Sequence, residues 1–413
     1  MKYVIIGNGA AAVHAAESIR RTDARAAICM IADEMFSPYC RPMISMVLEG
    51  AAGPEKLPIR DEKFYEKYKI TLMPGRRVSR LDTENRRVFL PDDGKGEESV
   101  SFDRLLIASG ADPRPVKAGG MNLENIFYMR TRAHVQNMLA VLPSVKKALV
   151  LGGGLVGFKA AYGLLRRGIS VSMLIRSGYP LSMQLDETAG KIILDELVQN
   201  GLDVRVGVEV RAFSGKRAVQ AAHLSDGSEL PCHMAVIGKG VLPAHSFVPK
   251  DNIRTDLGIM VDTRMETNVP GIFAAGDVAQ CIDIARQTGW VNAIWPEAVN
   301  QGRIAGFNMA GREIHCKGSL SRNVMRIFSR DIMTAGIVNP AEKEGAEIIS
   351  RGDERKKIYR KLLFRKDRLV GMVLVGGIEQ GGLLMSLIQN KIPIRIHREC
   401  LLSPAFNYAQ LLT

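Results

Sequence analysis

A layered α/β fold followed by a separate α+β segment is predicted by three features of this sequence. Lys2 to Gly7 is a short apolar run that ends on glycine and leads into an alanine-rich helical stretch. The same strand, glycine turn and helix begin again at Lys147, 145 residues later. From about Ser319 the composition changes to two-residue alternation, the mark of half-buried antiparallel strands.

The elements follow in order. Lys2 to Gly7 reads as a buried strand, Ala10 to Arg21 as a helix, and Ala26 to Ala32 as a second strand, which together make a β-α-β unit. Pro42 to Leu48 fits a short helix with proline in its first turn. Strands are expected at Ile70 to Pro74, Arg77 to Asp82, Arg87 to Pro91 and Val100 to Ile107, with a turn at Asp92-Asp93-Gly94. The second unit has a strand at Lys147 to Gly152, a helix at Val156 to Arg167 and a strand at Ser170 to Ile175. A buried strand at Gly271 to Ala275 and a helix at Trp295 to Ala310 come next. Lys357 to Phe364 and Leu369 to Val375 should pair in a sheet, and Leu383 to Gln389 should be a helix. The repeat spacing is a duplication of architecture, not a solenoid period.

Composition narrows the class. Hydrophobic residues make up 46% of the 413, enough for sizeable cores. No window of about eighteen uninterrupted apolar residues occurs, so no membrane span is expected. Lys2 and the apolar run after it resemble a secretion signal, but the Gly7-Asn8-Gly9 break fits a nucleotide loop better. The cysteines at 29, 40, 232, 281, 316 and 400 form no C-x-x-C pair and no zinc or iron–sulfur spacing. His397 and Cys400 share a helical face without a motif around them. A reduced, cytoplasmic protein without its own metal is the simplest reading.

Net charge is +13. Part of it lies in Arg355, Lys356, Lys357, Arg360, Lys361, Arg365, Lys366 and Arg368. The simplest reading is a solvated edge hairpin kept from aggregating by its charge; the alternative is a docking field for an acidic protein partner. No nucleic-acid motif accompanies it, so no nucleic-acid partner is expected.

Gly7-Asn8-Gly9-Ala10-Ala11-Ala12 is a G-x-G-x-x-A turn between strand and helix. Gly7 permits the tight turn, Gly9 lets a diphosphate approach the backbone, and Ala12 allows close helix–strand packing above a helix N-terminus that favours negative charge. The ribose-binding acid is expected after the second strand, where Glu34 is chosen over Asp33. Gly152-Gly153-Gly154-Leu155-Val156-Gly157 is a full G-x-G-x-x-G in the same setting, so Gly152, Gly154 and Gly157 make a second Rossmann-like dinucleotide site. Two such sites imply one resident redox group and one exchangeable hydride donor. The strand after the second loop ends Met173-Leu174-Ile175-Arg176 with no carboxylate. Arg176 would pair with a 2′-phosphate, which favours NADPH, while an exposed arginine in a site taking NADH or NADPH stays open. Lys159 is read as lying in the first turn of the second helix, where a cation opposes the helix dipole.

Together with these loops, Ser37-Pro38-Tyr39-Cys40-Arg41-Pro42-Met43-Ile44-Ser45, Phe102-Asp103-Arg104-Leu105-Leu106-Ile107-Ala108-Ser109-Gly110 and Thr267 to Val278 resemble the class I pyridine nucleotide-disulfide oxidoreductases. The P-Y-x-R-P segment is nearest the branch with NADH:rubredoxin reductases, ferredoxin reductases and the flavin domain of nitrite reductase. The resemblance covers about three quarters of the chain, with the motifs in the right order. It implies that Gly7, Gly9, Ala12 and Glu34 hold the ADP half of FAD. It places Arg41 and Pro42 beside the isoalloxazine, and Ala108 and Gly110 at the crossover into the nucleotide domain. Gly276 and Asp277 would lie at the ribityl chain or pyrophosphate, and Trp295 near the pyrimidine end of the flavin. Gly240 and Lys159 would belong to the NAD(P) site.

Departures are as informative. The lysine that often follows P-x-L-S in the ferredoxin-reductase branch is replaced by Met46 after Ser45, and the glutamate common in the nucleotide site by Lys159. The C-x-x-x-x-C pair of the disulfide-reductase branch is absent, although Cys40 falls close to a single flavin-facing cysteine. The implied architecture is an FAD domain in two segments, 1–115 and 245–318, an NAD(P) domain at 116–244, and a C-terminal α+β interface domain at 319–413 that in relatives often forms a homodimer. The implied activity is hydride transfer from NAD(P)H to FAD, then electron transfer to an acidic carrier protein such as rubredoxin or ferredoxin, or to a partner subunit. A thiol-based disulfide or peroxide reductase using Cys40, and a non-enzymatic flavin-stabilised docking protein, are the alternatives.

Overall fold

The computed structural model describes residues 1–92, 96–340 and 345–411. The chain divides into two compact units. One comprises Met1–Pro42, Glu55–Asp112 and Leu242–Ser321, and the other Met43–Pro54, Pro113–Val241 and Arg322–Thr413.

The first unit is built on a five-stranded parallel sheet. Its order from one edge is Ile272–Ala274, Arg104–Ile107, Lys2–Ile6, Ala27–Ile31, Ile70–Met73. Ile5 pairs with Met30 on one side and Leu106 on the other, and all three are fully buried. Both faces of the sheet are covered, which is why its strands read as unbroken apolar runs rather than alternations. The helix Ala10–Thr22 lies on one face against the helix Trp295–Met309. A Cβ at Gly302 would stand 2.1 Å from the Ala11 carbonyl oxygen, and one at Gly306 2.4 Å from that of Ala15. The two helices therefore touch backbone to backbone, through positions where only glycine fits.

Two expected strands differ. Val100 to Ile107 is not one strand. Gly96–Ser101 pairs antiparallel with Arg87–Asp92, while Arg104–Ile107 joins the parallel sheet. Between them the Asp103 carboxylate accepts the Lys2 backbone N–H at 2.6 Å, which turns the chain from one sheet to the other. The strand expected from Arg77 starts only at Arg80, because Arg77 is drawn into ion pairs with Asp33 and Asp112. The expected turn at Asp92-Asp93-Gly94 falls on residues 93 and 94, outside the described residues.

The second unit holds another five-stranded parallel sheet, in the order Asp203–Val206, Ser170–Ile175, Lys147–Leu151, Met234–Ile237, Ile126–Tyr128. It also holds an antiparallel sheet ordered Arg322–Ile327, Arg330–Gly336, Arg368–Val375, Ile358–Arg365, Glu347–Asp353, on which the helix Gly381–Gln389 packs. The basic segment departs from the solvated hairpin expected of it. Arg355, Lys356, Lys366 and Arg368 are exposed, but Arg360 and Lys361 are buried. Arg360 donates to Gln380 and to the Gly377 carbonyl. Lys361 Nζ donates to the Val338 carbonyl and pairs with Asp186 at 3.0 Å. The reason is position: Ile358–Arg365 is an interior strand, flanked on both sides by other strands.

Helix Glu187–Gln199 is fastened to this antiparallel sheet at a second point. The buried Glu196 carboxylate accepts from Ser329 N and Oγ and from Arg330 Nε. Burial pushes its pKa up, but the Ser329 and Arg330 contacts outweigh it and hold the carboxyl below its ordinary value. A depressed carboxyl stabilises the fold fully above its unfolded pKa, about 4.3 for glutamate, and loses that contribution as pH falls through the lower folded value. Glu196→Gln should therefore show a flatter decline in denaturation free energy below about pH 5 than the wild type. Parallel declines in the two proteins would mean that the charge of Glu196 carries none of the contact.

Candidate functional site

In the first unit the glycine loop lies at the C-terminal ends of the parallel strands. Gly7 has φ +121°, and a Cβ there would lie 2.2 Å from the Ala108 carbonyl oxygen, so the loop and the crossover strand meet backbone to backbone. Ala12 is fully buried under the loop. Gly9 is the N-terminal cap of helix Ala10–Thr22; its backbone is extended and offers no side-chain cap. Nothing lies within 4 Å of where a Gly9 Cβ would be. An uncapped helix N-terminus leaves backbone N–H donors unsatisfied, and open space before them is what an anionic diphosphate fits.

Around this loop the structure gathers most of the flavin-site residues expected from sequence. Glu34 pairs with Arg41 at 2.6 Å and accepts from Tyr39 Oη at 2.7 Å. The Arg41 guanidinium sits over the Tyr39 ring, 5.1 Å from its centroid. Burial acts to lower the Arg41 pKa, but Tyr39, Glu34 and Asp277 outweigh it and raise it, so the guanidinium is fixed as a cation close to Asp277. Pro42 is exposed and Asp277 half-buried. Gly276 and Gly110 both have positive φ, at +82° and +74°. The Gly276 N–H donates to the buried Gln301 side chain at 2.8 Å, which ties the Gly276-Asp277 turn to helix Trp295–Met309. Trp295 opens that helix and is half-buried against the core.

Sequence reasoning passed over Asp33. An open pocket at this sheet end is lined by Gly7, Asp33, Arg77, Ser109 and Asp112, among others. Arg77 bridges Asp33 at 3.6 Å and Asp112 at 2.6 Å. Asp112 lies far along the chain from Asp33, and no local pattern announces their meeting.

The second unit repeats the cradle. Gly152 has φ +108° and a Cβ there would come within 2.5 Å of the Gly238 carbonyl oxygen. A Cβ at Gly157 would be 1.9 Å from the Gly152 oxygen. Gly154 is an extended, uncapped N-terminal residue with open space beside it. Gly240, at φ +88°, is likewise open. Lys159 is the fifth residue of helix Leu155–Arg166 and half-buried, so it lies beyond the first turn where sequence placed it. The helix starts at Leu155, earlier than expected, and the dipole's effect has faded by that point. Arg176 is 81% exposed, and its Nε lies 3.9 Å from Glu209. Glu209 in turn accepts from Lys239 Nζ. A carboxylate thus stands at the strand end after all, supplied by a distant part of the chain. The Lys239 hydrogen bond holds the Glu209 pKa down, against the opposing effect of burial.

No disulfide joins the six cysteines. Burial pushes the Cys232 and Cys281 thiols up to about 12 and also raises Cys29 and Cys316, which disfavours thiolate chemistry at all four. Cys40 is half-buried, with its backbone N–H on the Leu57 carbonyl. Among the described residues, no helix is long and apolar enough to cross a membrane.

Comparison with known proteins agrees with this geometry. Residues 1–302 match the family model for pyridine nucleotide-disulphide oxidoreductases. Residues 322–392 match that for the rubredoxin NAD+ reductase C-terminal domain. The chain is 28% identical over 407 residues to the assimilatory nitrate reductase electron transfer subunit of Bacillus subtilis (strain 168), covering 98% of this chain and 51% of that protein. It is 29% identical over 390 residues to the NADH-dependent phenylglyoxylate dehydrogenase subunit epsilon of Aromatoleum evansii, covering 94% and 91%. Its fold matches the solved NAD-dependent persulfide reductase from A. fulgidus with a TM-score of 0.89 at 22% identity, over 98% of this chain and 80% of that one. The chain spans about half the length of the first two curated relatives. With residues 1–302 matching the family model and a glycine cradle in each of its two parallel-sheet units, this chain belongs to the pyridine nucleotide-disulphide oxidoreductases, a family that binds FAD and NAD(P)H.

Proposed function

We propose that this chain is an FAD-dependent oxidoreductase that takes hydride from NAD(P)H and delivers electrons to a protein acceptor, either a small carrier of the rubredoxin or ferredoxin kind or a partner subunit. The observation that carries the reading is the pair of cradles at Gly7–Ala12 and Gly152–Gly157, each an uncapped helix start with a glycine opening onto free space. Two relatives are an electron transfer subunit and a dehydrogenase subunit, in keeping with a protein acceptor. FAD, when bound, accepts a hydride and releases electrons singly.

The chain's own residues bind and orient. Gly7, Gly9 and Ala12 seat the FAD diphosphate. Arg41, fixed by Glu34 and Tyr39, presents a permanent cation close to Asp277. Pro42, Ala108, Gly110, Gly276 and Trp295 shape the remainder of that site. Glu34, held in place by Arg41 and Tyr39, is the carboxylate assigned to the adenosine ribose, and Asp33 lines the pocket beside Gly7. Gly152, Gly154, Gly157, Lys159, Arg176 and Gly240 form the NAD(P)H site. In domain terms the proposal is an FAD domain at 1–115 and 245–318, an NAD(P) domain at 116–244 and an interface domain at 319–413, working in the cytoplasm.

Anaerobic titration of the yellow protein with each nicotinamide dinucleotide tests the reading. Full bleaching within one turnover time is expected, and a flavin that stays oxidised would refute it. Cys40→Ser addresses the thiol alternative. Turnover with an electron-carrier acceptor should stay within about twofold of wild type, because on this reading the electrons pass through the flavin and no step needs a thiol. Loss of turnover with flavin reduction intact would reassign the chemistry to the Cys40 thiol.

A further inference from the structure

Arg176, Glu209 and Lys239 converge at the nucleotide-facing end of the second parallel sheet. Arg176 follows strand Ser170–Ile175 and Lys239 closely follows Met234–Ile237; these two strands flank Lys147–Leu151, whose end carries the glycine loop. Glu209 belongs to none of the three. It immediately precedes the antiparallel strand Val210–Ser214. One of its oxygens accepts from Lys239 Nζ and the other lies 3.9 Å from Arg176 Nε. The three side chains are 39%, 25% and 81% exposed for Glu209, Lys239 and Arg176, so a ligand can reach them.

Two cations without a carboxylate would make a receptor for a ribose 2′-phosphate, which carries up to two negative charges. A carboxylate between them changes the chemistry in two ways. It occupies Lys239 Nζ, a donor that the phosphate would recruit, and it sets an anion beside Arg176 where the phosphate must land. A ribose 2′-hydroxyl meets the opposite situation, because a carboxylate accepts its proton in a hydrogen bond. We propose that Glu209 determines which nicotinamide dinucleotide this chain takes, by holding Lys239, placing a negative charge beside Arg176 and so excluding a 2′-phosphate. The inference rests on the reading of Gly152–Gly157 as the nicotinamide dinucleotide site.

Calorimetric binding of NAD+ and NADP+ to the oxidised, FAD-loaded protein tests it without electron transfer. Glu209→Gln keeps the shape and removes the charge. It should tighten NADP+ by about tenfold or more, the scale of deleting one like charge a few Å from a phosphate at a partly screened site. NAD+ should change by less than about threefold, the size of a single weak hydrogen bond. Adding Arg176→Ala to Glu209→Gln should take back most of the NADP+ gain. In steady state the change should appear in KM for NADPH, with kcat held. Equal shifts for both dinucleotides, or an unchanged ratio, would overturn the proposal and leave Glu209 a structural ion-pair partner. Failure of the wild type to bind either dinucleotide is a separate result: it would remove the reading of the loop itself, and this inference with it.

Discussion

Gly302→Ala should destabilise the first unit by about 3 kcal/mol, at the upper end of overpacking costs, and should yield protein with little bound flavin. The direction is opposite to what helix propensity alone dictates, since alanine is favoured over glycine in a helix interior by roughly 1 kcal/mol. Space decides the sign. The new methyl group would meet the Ala11 carbonyl oxygen at 2.1 Å, its Cα at 2.6 Å and its carbonyl carbon at 2.7 Å. All three are backbone atoms of a helix and no rotamer change can move them, so the helices must separate. Helix Ala10–Thr22 carries the first phosphate cradle at its N-terminus, so separation there displaces the FAD site too. Gly382→Ala is the matched control. Gly382 also lies in a helix, but nothing stands within 4 Å of its Cβ position. That variant should be neutral or stabilised by up to about 1 kcal/mol. Denaturant unfolding of both variants, with flavin absorbance per protein, reads the contrast; equal behaviour would show that the helix seam has slack.

Asp186→Ala should cost about 3–5 kcal/mol, the scale of stranding a buried charge. Asp186 performs three tasks. One oxygen caps helix Glu187–Gln199 by accepting from the Ala189 N–H, and the other accepts from Tyr359 Oη at 2.8 Å and pairs with Lys361 at 3.0 Å. The Lys361 side chain is only 8% exposed, and the Val338 carbonyl alone cannot neutralise it. Asp186→Asn retains an oxygen for the cap and isolates the charge effect, so its loss should be smaller by about the 1 kcal/mol that a cap is worth. Combining Asp186→Ala with Lys361→Met should recover much of the loss, because removing both charges costs less than removing one. A double variant as unstable as the single one would show that the ion pair is not the source.

These contacts mark where sequence reading ends. The glycine loops were legible because their chemistry is local: spacing within six residues fixes turn, approach and packing together. The parallel strands were legible as apolar runs for the same reason. The join between Ser101 and Arg104 was not, since V-S-F-D-R-L-L-I carries no break in its local pattern and the turn is made by a hydrogen bond from Lys2, 101 residues earlier in the chain. Arg360 and Lys361 read as solvated because a charge in a sequence window does not show that its strand lies inside a sheet. Glu209 was invisible for a third reason: a carboxylate expected beside Arg176 in sequence arrives there only through folding. Glu34 was legible in the sequence as a carboxylate after the second strand, but its ion pair with Arg41, seven residues on, was not.

The seam between helices Ala10–Thr22 and Trp295–Met309 has a consequence for how a ligand meets the first loop. Its contact points, Ala11 and Ala15 against Gly302 and Gly306, have no rotatable side-chain bonds. Nothing there needs to be frozen when a dinucleotide arrives, so no rotamer entropy is charged against association at that wall. The helix start beneath Gly9 is held in its receiving shape beforehand, and a resident coenzyme keeps the full strength of its contacts.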